Sequence, residues 1–105
     1  MKRLRRQLPF LESLFRDARG QYRHDLLRHA NADQINAISE LVLNTLKGHA
    51  RVTPDVVARL KRHKKVLREL AKRKNSVTRR RALLLRQTGS GLWRGLQAVC
   101  RCLQR

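Results

Sequence analysis

The chain has 105 residues and a formal net charge of +19, from 26 Lys and Arg against seven Asp and Glu. This length allows one small domain, and the excess of cations predicts a polyanionic partner, nucleic acid before an anionic membrane surface. No apolar run reaches the roughly 18 residues of a membrane-spanning helix, and the basic start lacks the apolar stretch of a signal peptide. The sequence therefore predicts a location in the nucleus or in a virion.

Residues 1–8 are predicted to be a basic arm without fixed structure until it binds something. Pro9 suits the first residue of a helix, and Gly20 suits the position just past its end. A second short helix is predicted from Gln21 to Ala30. Its inward-facing side chains are predicted to be Tyr22, Leu26 and Leu27.

The next helix has the clearest start. Asn31 is predicted to be its N-cap and Gln34 the third residue of a capping box, while Gly48 closes the helix. Its apolar face is Ile35, Ile38, Leu41, Val42, Thr45 and Leu46. Because its polar face is nearly uncharged, this helix is predicted to be the central support of the domain.

Thr53 and Pro54 begin a basic helix that is predicted to run to about Arg73. One face is apolar, formed by Val56, Val57, Leu60, Leu67, Leu70 and Ala71. The other face is cationic, formed by Lys61, Arg62, Lys64, Lys65, Arg68 and Lys72. Asn75 and Ser76 interrupt the helix, and Ser76 is predicted to cap a last helix of the domain over Val77–Gln87.

Residues 59–81 contain twelve cations against one acid, Glu69. A helix rises about 1.5 Å per residue, which is close to the roughly 1.7 Å per charge along duplex DNA. We therefore expect contacts with the phosphate backbone and little choice of sequence, with duplex DNA as the ligand and RNA as the alternative. The predicted nucleic-acid contacts are Arg59, Lys61, Arg62, Lys64, Lys65, Arg68, Lys72, Arg73, Lys74, Arg79, Arg80 and Arg81.

Residues 89–105 read as a Gly-Ser-Gly linker followed by an amphipathic tail. Its apolar face could close over the core or a partner, or insert at a membrane interface, and packing is the favoured alternative. This face is Leu92, Trp93, Leu96 and Val99. The run Leu83–Leu85 is apolar on more than one side, so it is either buried or in contact with a second copy of the chain.

No catalytic arrangement of side chains is recognisable, so a non-enzyme without cofactor or metal is predicted. Cys100 and Cys102 stand two residues apart, which on a helix does not favour a disulfide, and they are predicted to be free thiols. His63 falls on the apolar side of the basic helix, where a core histidine is favoured over a ligand.

Three stretches carry a resemblance: HANADQINAISELVLNTLKG, LKRHKKVLRELAKRKNSVTRRR and GSGLW. Together they resemble small basic proteins of adintovirus-like and Polinton-type double-stranded DNA viral elements of animals, over residues 10–93. The resemblance implies a DNA-associated or virion-associated role and supplies no catalytic residues.

The sequence thus predicts an all-α protein, a compact bundle of four to five short helices. Residues 1–8 are the arm, 9–88 the nucleic-acid-binding domain and 89–105 the linker and tail. The leading hypothesis is sequence-nonspecific binding and condensation of duplex DNA, as a viral core or virion-associated protein. The alternatives are a capsid or scaffold adaptor that docks an acidic protein or a second copy of the chain, and a membrane-active tail.

Overall fold

The computed structural model describes residues 2–16, 20–48 and 50–104, and within these ranges the chain forms eight helices and no strand. The all-α class is confirmed, whereas the predicted count of four to five helices is too low. The helices are α1 Lys2–Arg6, α2 Leu8–Arg16, α3 Gln21–Arg28, α4 Ala32–Leu46, α5 Pro54–Lys61, α6 Lys64–Ala71, α7 Val77–Leu85 and α8 Leu92–Leu103.

Helix α4 is the central support, as predicted. Its capping box is complete, since the Asn31 side chain accepts a hydrogen bond from the Gln34 N–H at 2.9 Å and the Gln34 side chain accepts one from the Asn31 N–H at 2.8 Å. Gly48 follows the helix with a positive φ of 71°. Helix α4 packs against α1, α6, α7 and α8. Its buried residues are Ile35, Ala37, Ile38, Leu41 and Val42.

The basic helix is not continuous, which corrects the prediction of one helix from Pro54 to about Arg73. A turn at Arg62 and His63 separates α5 from α6, and His63 is half-buried as the N-cap of α6. The two pieces pack on different neighbours, α5 on α8 and α6 on α4 and α7. Of the predicted apolar face, Leu60, Leu67 and Leu70 are buried, while Val57 is exposed.

The predicted tail belongs to the core. Helix α8 packs on α2, α4 and α5, and the Trp93 indole N–H donates a hydrogen bond to the Gln87 carbonyl at 2.6 Å. The apolar face of α8 thus packs over the core, one of the two packing alternatives expected for it, and the described residues 89–104 do not form a separate linker and tail. The four residues of its apolar face, each at most 2% exposed, are Leu92, Trp93, Leu96 and Val99.

The prediction of an unstructured basic arm is also wrong. Lys2–Arg6 forms α1, which packs on α4, and Leu4 is only 3% exposed. Leu4 thus joins the arm to the core, together with polar contacts described below. In α3, Leu27 is buried as predicted, whereas Tyr22 is 56% exposed and does not face inward.

Gly20 provides a test of how α3 is placed against the segment before α8. Its φ is +82°, and a β-carbon there would overlap the Thr88 carbonyl group. Gly20→Ala should destabilise the protein by more than ~1 kcal/mol, since the left-handed conformation and the overlap both oppose it. Urea unfolding measures the change in the free energy of unfolding.

Gly48→Ala is the matched control for this test. Its φ is +71°, yet nothing lies within 4 Å of an added β-carbon. This variant should show only the cost of the left-handed conformation, about 1 kcal/mol. Equal losses at the two glycines would contradict a close approach of Gly20 to Thr88.

Candidate nucleic-acid interface

Helix α6 presents its cations on one side and its apolar residues on the other. Lys64, Lys65 and Arg68 are exposed, while Leu67 and Leu70 are buried at 2% and 0% exposure. The side chains of the three cations form no hydrogen bond or ion pair within the described residues. Their charges are therefore held outward by the packing of the opposite face and are available to an anion.

The single acid of α6, Glu69, is already bonded. Lys72 donates a hydrogen bond to its carboxylate at 2.9 Å and the Asn75 amide donates one at 3.1 Å. The Lys72 hydrogen bond, with the Asn75 bond second, lowers the pKa of Glu69 below its usual value. Asn75 also donates to the Glu69 backbone carbonyl at 2.7 Å, which satisfies one carbonyl at the end of α6. Glu69 thus shapes the loop after α6.

Nine of the twelve predicted contact residues are exposed. They follow the chain from the α5–α6 turn through α6, its following loop and the first turn of α7. The nine are Lys61, Arg62, Lys64, Lys65, Arg68, Lys72, Arg73, Lys74 and Arg79. We call this set the α6 surface.

Arg80 does not belong to the α6 surface, although it was predicted as a contact. It is 9% exposed, and its guanidinium donates to the Ser39 hydroxyl at 2.6 Å and to the Asn75 carbonyl at 3.1 Å. Burial and then the nearby charge of Arg3 lower the pKa of Arg80. Its role is to join the start of α7 to α4.

Arg81 and Arg59 also turn away from open solvent. The Arg81 guanidinium donates to the carbonyls of Leu27 and Ala30, both at 2.7 Å, so that it caps the end of α3. Arg59 is half-buried beside α8.

The burial of Arg80 could have been predicted from the sequence. Arg80 lies one helical turn before the buried Leu84 and shares its face of α7.

Helix α1 adds cations beside the α6 surface. Arg3 and Arg6 bind the Asp33 carboxylate at 3.1 and 2.9 Å, and this contact holds α1 at the first turn of α4. A cleft between α1, α4 and the loop after α6 is lined by Arg3, Lys72 and Arg73, and Glu40 is the one acid among its described lining residues. The basic residues at the start of the chain and those after α6 therefore lie on adjoining surfaces.

The two cysteines are free, as predicted, with Cys100 buried in α8 and Cys102 half-buried. Burial raises the pKa of the Cys100 thiol. Within the described ranges, no group of three or more His, Cys, Asp or Glu side chains is placed to hold a metal ion. No helix in those ranges is both long enough and apolar enough to cross a membrane.

Comparison with known proteins gives no family model, no curated protein and no solved structure that matches this chain.

Two neighbouring arginines of α7 test the distinction between exposed and buried cations, since Arg79 is exposed and Arg80 is buried. Arg80→Gln should destabilise the protein by about 1–3 kcal/mol, because it leaves the Asn75 carbonyl and the Ser39 hydroxyl without their donor. Arg79→Gln is the matched control, and since Arg79 is exposed its cost should stay within about 0.5 kcal/mol. Urea unfolding measures both, and equal stability of the two variants would place Arg80 on the surface.

The Asp33 contact predicts how the docking of α1 depends on pH. The hydrogen bond from Arg6, followed by that from Gln7, lowers the pKa of Asp33 to about 2. A carboxyl group whose pKa is lower in the folded chain than in the unfolded chain stabilises the fold only while it is charged. This stabilisation is complete above the unfolded pKa of ~4 and is lost as the pH falls to about 2. Asp33→Asn should therefore lower the melting temperature at pH 6 and have almost no effect near pH 2.

Asp55→Asn is the control for that experiment, because Asp55 occupies the same first-turn position in α5 and is exposed. It reports the interaction of a carboxylate with a helix start without the arginine contacts. A pH dependence of equal size in both variants would show that Arg3 and Arg6 contribute nothing to Asp33.

Proposed function

We propose that this protein binds duplex DNA through the phosphate backbone, neutralises its charge and condenses it, without reading the sequence. The observation that supports this is the α6 surface, nine exposed cations on a folded support whose opposite side is buried. A solvated face that served only solubility would mix charges of both signs. Here the one acid among them, Glu69, is bonded to Lys72 and Asn75.

The shape of the α6 surface favours a large, extended anion. Helix α6 has eight residues and so spans about 12 Å, over which duplex DNA presents roughly seven charges. Lys64, Lys65 and Arg68 project from an exposed helix face, and Lys64 also borders a cleft beside α5. A convex cationic face fits the outside of a duplex better than it fits a small anion, which needs to be enclosed.

The aromatic side chains favour a duplex over a single strand. Single-strand binding commonly uses exposed aromatic rings on which bases stack. Phe10 and Trp93 are 9% and 2% exposed, so they are occupied by the core. Tyr22 is exposed but lies on α3, beside Phe10 and His29, and not on the α6 surface. Backbone contacts are thus the recognition that the described side chains favour.

The proposal is one of binding without catalysis, in a nucleus or a virion. The resemblance to small basic proteins of double-stranded DNA viral elements has the same implication. The apolar face of α8, from Leu92 to Val99, is buried in this fold, so it does not offer an exposed membrane-binding surface. An acidic protein remains the other class of polyanion, and the binding experiment distinguishes it.

The proposal predicts a strong dependence of DNA binding on salt. If six to eight phosphates are contacted, log K against log salt should have a slope of about −5 to −7. Replacing Lys64, Lys65 and Arg68 together with Gln should make the slope about 3 units shallower, because three phosphate contacts are lost. Fluorescence anisotropy of a labelled random-sequence duplex at several salt concentrations measures both slopes.

The matched control replaces Arg28, Lys47 and Arg101 with Gln. These side chains are exposed but lie on α3, after α4 and on α8, so the variant has the same net charge as the first. Its slope should stay near that of the original protein. Equal loss in both variants would mean that net charge and not the α6 surface drives binding. A flat salt response, or copurification of an acidic protein that survives nuclease treatment, would overturn the proposal.

A further inference from the structure

A second basic site lies away from α6, in a cleft at the start of α8. Its arginines come from four different helices: Arg16 ends α2, Arg23 lies in α3, Arg59 in α5 and Arg94 in the first turn of α8. The turn Gly89–Gly91 forms another part of its wall. None of the described residues that line it is acidic. We call it the α8 cleft.

Arg23 is a fixed wall of the α8 cleft. It is 4% exposed, and its guanidinium donates hydrogen bonds to the carbonyls of Leu14, at 2.7 Å, and of Thr88. The same guanidinium lies over the Trp93 ring, 5.0 Å from its centroid. Cation–π contact and the two carbonyls thus set the position of Arg23 before any ligand arrives.

The other three arginines are uncommitted. Within the described part of the chain, the side chains of Arg16, Arg59 and Arg94 form no hydrogen bond or ion pair. Arg59 is half-buried, and its guanidinium approaches Gly91. A partly desolvated cation among like charges is unfavourable unless an anion accompanies it. The α8 cleft therefore has both the donors and the electrostatic need for an anionic ligand.

The chemistry of the donors indicates which anion this is. A guanidinium presents its N–H groups in a planar fork that matches the oxygens of phosphate, and two or three such groups fit a doubly charged phosphate better than a carboxylate. The cleft has a volume of about 390 Å³, near the lower end of small-molecule sites, which are about 300–1,000 Å³. It is concave, with walls from four helices and from the turn Gly89–Gly91.

We propose that the α8 cleft binds a terminal phosphate group, on a free nucleotide or at the 5′ end of a nucleic-acid strand, with Arg59 and Arg94 as its principal donors and Arg16 as an additional cation. The site is independent of the α6 surface, because the two sets share no exposed residue.

Binding of pyrophosphate, measured by isothermal titration calorimetry, tests the proposal directly. Each charge-assisted hydrogen bond contributes about tenfold or more to affinity. Arg94→Gln should therefore weaken binding about tenfold, and Arg59→Gln with Arg94→Gln about 100-fold. The triple variant Lys64→Gln, Lys65→Gln and Arg68→Gln is the matched control and should bind pyrophosphate as the original protein does. Equal weakening in this control, or no binding of pyrophosphate at millimolar concentration, would overturn the proposal.

Unfolding curves of the variants and competition binding complete the test of the α8 cleft. Arg94 is exposed, so Arg94→Gln should leave the unfolding curve unchanged even if Arg59→Gln affects the packing of α5 on α8. Competition against bound pyrophosphate then distinguishes the two sources of phosphate. If the ligand is a free nucleotide, a mononucleotide displaces pyrophosphate and neither duplex does. If the ligand is a strand end, a 5′-phosphorylated duplex displaces pyrophosphate better than its 5′-hydroxyl counterpart does. Displacement by both duplexes equally would contradict recognition of a terminal phosphate.

Discussion

The contact between Leu60 and Gly95 is the constraint on which both basic surfaces depend. A β-carbon at position 95 would lie 2.6 Å from a methyl carbon of Leu60, so α5 and α8 approach each other as closely as they do only because Gly95 has no side chain. This approach brings Arg59 to the start of α8. It keeps α5 against α8, and the chain then turns at Arg62 and His63 into α6, which packs on α4 and α7 and buries Leu67 and Leu70.

The break between α5 and α6 therefore separates two uses of positive charge. In α6 the cations point outward from a helix whose other side is buried, which gives a convex surface suited to an extended anion. In α5 the last basic residues divide, since Arg59 faces α8 and Lys61 remains exposed. Because α5 packs on α8 whereas α6 packs on α4 and α7, the two groups of cations lie beside different neighbours.

A third use of positive charge is internal. The chain has few acids, so its buried arginines are bonded to oxygen atoms of the backbone and of a hydroxyl group: Arg23 to Leu14 and Thr88, Arg80 to Asn75 and Ser39. Arg81 likewise bonds carbonyls at the end of α3. Carbonyls at helix ends lack partners within the helix and carry partial negative charge, so they are suitable acceptors for a guanidinium. The guanidinium of arginine has five donors in a fixed planar fork, which suits it to join two elements at once.

Local chemistry explains which parts of the fold were predictable. The capping box of Asn31 and Gln34 and the cap at Ser76 depend on residues three positions apart, and both form. The break at His63 and the burial of Leu4 and Trp93 depend on contacts between distant parts of the chain, which composition does not report. The Gly-Ser-Gly turn suggested a flexible linker, yet it lines the cleft in which Arg23 lies over Trp93. Helical periodicity was enough to predict that the cations of the α6 surface are exposed. The α8 cleft was not predicted, because its arginines lie far apart in the sequence.

The distribution of charge also links folding to binding. At a net charge of +19 the folded chain brings like charges closer together than the unfolded chain does, which opposes folding. Within the described ranges, Asp33 and Glu69 are the acids bonded to cations, so most of this repulsion is not offset from within the protein. An anion that binds the folded arrangement of cations better than the unfolded chain must stabilise the fold by its difference in binding free energy. The neutral core around α4 thus holds repelling charges in a fixed pattern, and a polyanion that matches the pattern removes the repulsion that the core has to overcome.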